Sequence, residues 1–149
     1  MQELERIASV LTRNRFNVQV ARNSMDAANA VLALIPNSAS VGFGGSTTAQ
    51  DLGLYEALEA RGNAVFWHWR ADAAAEADYY LLSANALTEE GEIVNTDGSG
   101  NRVSAMFFGP KNVIFIVGKN KIVRDYAAAI DRIRNVAAPK NAVRLQYNT

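Results

Sequence analysis

The 149-residue chain has no cysteine. Disulfides, zinc–thiolate sites and cysteine-ligated iron–sulfur clusters held by this chain are therefore excluded. A single histidine, His68, rules out a multi-histidine metal site. No charge of either sign dominates, because fifteen Lys and Arg face fifteen Asp and Glu. Nucleic-acid binders carry a basic excess, and its absence argues against that class. Long hydrophobic runs are missing too. The densest, Val113 to Val117 (VIFIV), is far too short to span a bilayer. The opening MQELERIASVLTRNR lacks the apolar core of a signal peptide. A cytoplasmic protein without membrane or nucleic-acid partners is the expectation, and no cofactor is expected.

What is present is an ordinary globular balance, 49% apolar and 20% charged, which suits one domain over 1–149. Leu4, Ile7, Ala8 and Leu11 recur at helical spacing. Phe16 to Ala21 (FNVQVA) alternates like a strand. Asn23 or Ser24 can cap a helix carrying Ala27, Ala28, Val31, Leu32 and Leu34. Ser40 to Phe43 reads as a buried strand. Thr47 to Ala60 follows as a helix broken near Gly53, and Gly62 suits its end. Ala64 to Trp69 predicts a strand, Ala71 to Ala77 a short helix and Asp78 to Ser83 a strand. Gly91 sits in a turn before the strand-like EIVN. Arg102 to Phe108 predicts a helix stopped by Gly109 and Pro110. Asn112 to Val117 is an apolar strand. Tyr126, Ile130, Ile133 and Ala137 form the inner stripe of a last long helix that Pro139 ends.

Strands thus alternate with helices, and several are apolar throughout. That predicts an α/β fold with a mainly parallel sheet covered on both faces. Ligands of such sheets bind beyond the carboxyl ends of the strands. The loops after Phe43, Ser83 and Val117 are the places where a site is expected.

The loop after Phe43 reads GGSTTAQ. Gly44 and Gly45 remove side chains, and Ser46, Thr47 and Thr48 supply hydroxyls. A strand-to-helix setting suits an anion cradled by backbone N–H groups. Thr47 stands where a dinucleotide fingerprint needs its third glycine, and no Gly-Lys-Ser/Thr is present. The plainer alternative is a tight turn with Thr47 as N-cap.

The second concentration is SANALTEEGEIVNTDGSGNR, Ser83 to Arg102. Asn85, Glu89, Asn95, Asp97, Asn101 and Arg102 beside flexible glycines suit a polar substrate. Carboxylates such as Glu89 and Asp97 can act as acid, base or nucleophile. Arg102 can hold a carboxylate or phosphate bidentately. The alternative is a solvated hairpin followed by an Asp-Gly turn, which is favoured for Glu90 and Glu92. His68, within FWHWR, reads as structural. Lys119 and Lys121 follow the last strand and are candidates to reach the site.

VGFGGSTTAQDLGL, the Ser83–Arg102 segment and FGPKNVIFIVGKNKIVRDYAAAIDRIRNVAAPKNAVRL together resemble the LUD (lactate-utilisation) domain family over nearly the whole chain. The resemblance implies a three-layer α/β sandwich. That fold is similar to the group of ribose-5-phosphate isomerase, glucosamine-6-phosphate deaminase and the CoA transferases. In sugar-phosphate members of that group a comparable loop receives phosphate, and Gly44, Gly45, Ser46 and Thr47 match it here. The resemblance further implies a part in converting lactate to pyruvate beside iron–sulfur partner proteins. Two roles stay open. One is a non-redox or accessory subunit binding a small anionic metabolite. The other is an enzyme on a phosphorylated or CoA-linked metabolite, with Glu89 or Asp97 as catalyst and Asn85, Asn95, Asn101 and Arg102 as substrate contacts. Assembly into a homo-oligomer is left open as well.

Overall fold

The computed structural model describes residues 1–67, 74 and 76–146. The readings of His68, of the end of the Ala64–Trp69 strand and of most of the Ala71–Ala77 helix fall outside the described residues. Along the chain run α1 (Gln2–Arg13), α2 (Ser24–Leu34), β1 (Val41–Phe43), α3 (Thr47–Asp51), α4 (Leu54–Ala60), β2 (Val65–Trp67) and β3 (Tyr79–Leu82). Then come β4 (Ala86–Thr88), β5 (Ile93–Val94), α5 (Asn101–Phe107) and β6 (Asn112–Phe115). A 3-10 turn (Lys119–Lys121), β7 (Ile122–Val123), α6 (Tyr126–Arg132), a π segment (Ile133–Ala137) and α7 (Ala138–Arg144) complete the order.

These elements form two compact units. The larger comprises Gln19–Ser83 and Asp97–Val117. Its sheet has the order β2-β1-β3-β6, with every pair parallel. Strand alternation sends successive side chains to opposite faces. Val41, Phe43, Leu81 and Ile116 pack on one face with Val31 and Ile35, the α2 side, and with Ala49, Leu54 and Leu58 of α3 and α4. Tyr80 and Leu82 pack on the other with Ala105 of α5, joined by Phe66, Val113 and Phe115. The sheet is therefore flanked by helices on both faces, as the apolar strands predict. Phe43, Leu54, Leu58 and Leu81 are wholly buried, each worth roughly 2 kcal/mol of transfer free energy.

Local signals explain the helix starts. Asn23 Oδ1 accepts from the Asp26 N–H at 2.8 Å and caps α2. Gly53, at φ +62°, breaks α3 from α4 in the left-handed conformation that glycine tolerates.

The smaller unit comprises Met1–Val18, Ala84–Thr96 and the stretch from Gly118 onward. Its sheet has the order β5-β4-β7, with β4 antiparallel to β5 and parallel to β7. Asp125 Oδ1 accepts from the Ala128 N–H at 2.9 Å and caps α6, whose Ala129 is buried.

Three expectations are corrected. Phe16 to Ala21 forms no strand. Its alternation is real, but no strand among the described residues supplies a ladder, and the chain passes from one unit to the other between Val18 and Gln19. Pro139 does not end the last helix; it lies in the first turn of α7. There a proline's missing N–H costs nothing, and the preceding π segment absorbs the change in register. The N-cap of α3 is Ser46 and not Thr47.

Candidate functional site

The site is built where β1 ends. Gly42 has no room for a side chain, because a Cβ would lie 2.2 Å from the Ala74 carbonyl oxygen. A Cβ at Gly44 would meet Arg102 Cγ, Leu82 Cβ and Tyr80 Cε1, each at 3.1 Å. Gly45 adopts φ +66°, which L side chains enter only with strain. Each glycine of the loop therefore has a reason within the fold. Gly42 and Gly44 accept close neighbours, and Gly45 makes the turn. The Gly44 N–H donates to the Leu81 carbonyl at 2.9 Å, which ties the loop to β3. Ser46 is buried, and its Oγ accepts from the Ala49 N–H at 3.2 Å. Thr47 is exposed at the start of α3.

The neighbouring strand end brings in Arg102. Its side chain is 15% exposed, and that of Asp97 is 8% exposed. Arg102 Nε donates to Asp97 Oδ1 at 2.8 Å, and Nη1 donates to the Ser83 carbonyl at 3.3 Å. Asp97 Oδ2 accepts from the Val103 N–H at 2.6 Å. Gly100 occupies the N-cap position of α5 and offers no side chain. Asp97 takes over that task from three residues upstream. A carboxylate there also faces the positive end of the helix dipole. Asp97 thus does two things: it caps α5 and holds the guanidinium of Arg102, whose stem lies against Gly44. Ser83 is itself held, since its Oγ donates to the Ile116 carbonyl at 2.6 Å.

Tyr80 completes this group. It is 2% exposed and lies opposite Gly42 in the β1–β3 register. Burial pushes its phenol up to about 12; the Asp97 charge adds to the rise and Arg102 opposes it. Sequence reasoning missed it, because DYYLLS reads as a plain core strand. Its ring lies against Gly44, while the Ala74 carbonyl fills the side-chain space of its register partner Gly42, so no local pattern marks it.

Asn101 lies at the start of α5, where its Oδ1 accepts from Ser99 Oγ at 3.0 Å. Gly44, Tyr80, Asp97 and Arg102 therefore stand together, with Gly45 and Ser46 continuing the loop.

Asn85, Glu89 and Asn95 belong to the smaller unit. Asn95 Oδ1 accepts from the Asn85 N–H, and Asn85 Oδ1 accepts from the Thr96 N–H, both at 2.8 Å. These amides stitch the two strands of the β4–β5 hairpin. Arg132 Nη1 donates to the Asn85 carbonyl, and burial lowers the Arg132 pKa. Glu89 forms an ion pair with Arg6. Glu90 and Glu92 are exposed, and Gly91, at φ +84°, makes the turn between them. Lys119 and Lys121 lie in the 3-10 turn, the first exposed and the second half-buried. Among the described residues, no three His, Asp or Glu side chains group as metal ligands. No helix among them is long and apolar enough to cross a membrane.

Fold and site together define an α/β protein. A glycine turn and a largely buried Arg–Asp pair sit at the carboxyl ends of adjacent parallel strands. The LUD domain family model matches residues 4–149, and the chain belongs to that family, the lactate utilisation domain family. It is a lactate-utilisation-related protein. Neither the curated proteins nor the solved structures gave a match to the chain.

Proposed function

We propose that this protein is a non-redox subunit of lactate oxidation, similar to lactate utilisation protein C. In this reading it binds lactate or pyruvate, and iron–sulfur partner proteins in the cytoplasm take the electrons. The observation that carries the reading is Arg102, whose guanidinium Asp97 and the Ser83 carbonyl hold and whose stem lies against Gly44. A guanidinium fork matches a carboxylate in geometry and charge. Backbone N–H groups of Gly45, Ser46 and Thr47 would supply the second set of donors.

Removing hydride or two electrons from lactate needs an acceptor, and proteins delegate that chemistry to cofactors. A chain with no cysteine and one histidine brings no ligand set for a cluster of its own. We read Asp97 as the holder of Arg102 rather than as a base, since donors already occupy both of its oxygens. In this reading the chain binds and presents the substrate, and its partners oxidise it.

The test is an anaerobic assay of the purified chain with L-lactate, D-lactate, NAD, FAD and an artificial acceptor. It is run with and without cluster-bearing partners. Pyruvate should form only when partners are present. Steady pyruvate production by the chain alone would overturn the non-redox reading.

A further inference from the structure

We infer that this protein pairs with a second copy of itself through the outer edge of β6 and the exposed Phe107 and Phe108 at the end of α5. The inference is independent of what the carboxylate site binds.

β6 is the last strand in the order β2-β1-β3-β6, and among the described residues no strand pairs with its outer side. Asn112 is exposed there, and Val113, Ile114 and Phe115 are half-buried, whereas Tyr80, Leu81 and Leu82 of β3 are buried. The Asn112 and Ile116 N–H groups donate to the Asp78 and Leu82 carbonyls of the β3 side, at 3.1 and 2.8 Å. Backbone direction repeats at every second residue of a strand. Val113 and Phe115 therefore turn their N–H and C=O groups to the open edge. Natural proteins guard such an edge with charges, prolines or a covering element. β6, NVIF, has no charge and no proline of its own. Lys111, just before it, is paired with Asp78 Oδ1 at 2.9 Å.

Phe107 and Phe108 are 81% and 87% exposed, the highest values among the large hydrophobic residues described. The two residues before them, Ala105 and Met106, pack with Tyr80, Leu82, Val113 and Phe115. The apolar run of α5 thus continues into solvent a few residues before the open strand begins. Exposed apolar surface of this kind marks an interaction site.

A second copy fits this surface. An antiparallel ladder sets Val113 opposite Phe115 of the second copy, and Phe115 opposite its Val113. Both residues face outward, so a twofold axis through Ile114 satisfies the edge with itself and joins the two sheets into one. A buried phenylalanine removes roughly 150–250 Å² from water. The four of a dimer therefore supply about half of the roughly 1,200 Å² that a stable interface needs. The two facing β6 edges add to that area. The formal net charge is zero, so the copies meet without long-range repulsion.

The test is sedimentation of the full chain over a dilution series, beside the double variant Phe107→Ser with Phe108→Ser and the single variant Val113→Pro. The serines replace exposed side chains only. The proline removes an N–H that faces outward, which an edge strand tolerates. The unaltered chain should sediment as a dimer and both variants as folded monomers, with a dissociation constant raised at least about thirtyfold. A chain that is monomeric at every concentration overturns the inference. So does a dimer that persists in the serine variant. Should a variant fail to fold, amide exchange of the unaltered chain decides. The Val113 and Phe115 amides should exchange slowly in concentrated protein and faster on dilution, and rates that ignore concentration overturn the inference. Protection that arises only when an iron–sulfur partner protein is added gives the edge to that partner and overturns the dimer as well.

Discussion

The segment from Ser83 to Arg102 reads as one polar motif, yet its two halves do different work. In the first half, Asn85 and Asn95 exchange side-chain-to-backbone hydrogen bonds across a hairpin. Neutral amides there hold strands in register. In the second half, Asp97 and Arg102 form a largely buried ion pair that caps a helix and fixes a guanidinium whose stem lies against Gly44. Asparagines beside glycines are a turn vocabulary. A carboxylate and a guanidinium taken out of water are not, since burying charge is costly unless the pairing is well made. The charged half is therefore the stronger candidate for function.

The contrast can be broken by deletion. Asp97→Ala removes the carboxylate paired with Arg102 and the cap of α5. Removing one member of a buried pair costs about 3 kcal/mol or more, so melting should fall by roughly 6–12 °C in a chain of this size. The double variant Asp97→Leu with Arg102→Met should recover much of that loss. A single variant that melts within about 2 °C of the parent would show that the pair is not desolvated.

A second test uses pH. Tyr80 is held near 12 against its ordinary value of 10, so the folded state keeps the proton more tightly. The associated stability is fully present below pH 10 and is lost as pH rises toward 12. Two pH units correspond to roughly 2–3 kcal/mol. Denaturant midpoints followed through this window should fall for the unaltered chain and fall less for Tyr80→Phe. Equal slopes would remove Tyr80 from the buried group around Arg102.

Asn95→Ala should have the smallest effect. It leaves the Asn85 N–H without its acceptor, at a cost of about 1 kcal/mol. Thermal melts of this variant should fall clearly short of the Asp97→Ala loss. An equal or larger loss would reverse the ranking of the two halves.

Much of the fold is legible from pattern. The strands around Val41, Leu81 and Ile114 announce themselves as apolar runs, and Asn23 and Gly53 mark real boundaries. Less legible are β4 and β7, because two or three residues are too few to show a period. Phe16 to Ala21 shows the reverse: a period without a partner strand is not a strand. Pro139 misleads because proline disfavours a helix interior and favours a helix start, and only the π segment before it tells which applies.

The site is legible in part. Gly44 and Arg102 both stand out, one as an absence of side chain and the other as a charge beside glycines. Their proximity is a product of sheet order, which no local pattern encodes. Gly42 stands out for a reason the sequence does not disclose, the approach of the Ala74 carbonyl. Tyr80 is hidden among apolar neighbours, and only its ring edge against Gly44 marks it.

The central claim is that the charged half and the glycine loop bind a small carboxylate, while the hairpin half is framework. The most direct measurement is an amide-resolved nitrogen–proton spectrum of the full chain titrated with pyruvate. The account predicts shifts at the Gly45, Ser46 and Thr47 amides and at Arg102 Nε, with the Asn85 and Asn95 backbone amides unmoved. Shifts confined to 84–96, or a spectrum unchanged at saturating pyruvate, would contradict it.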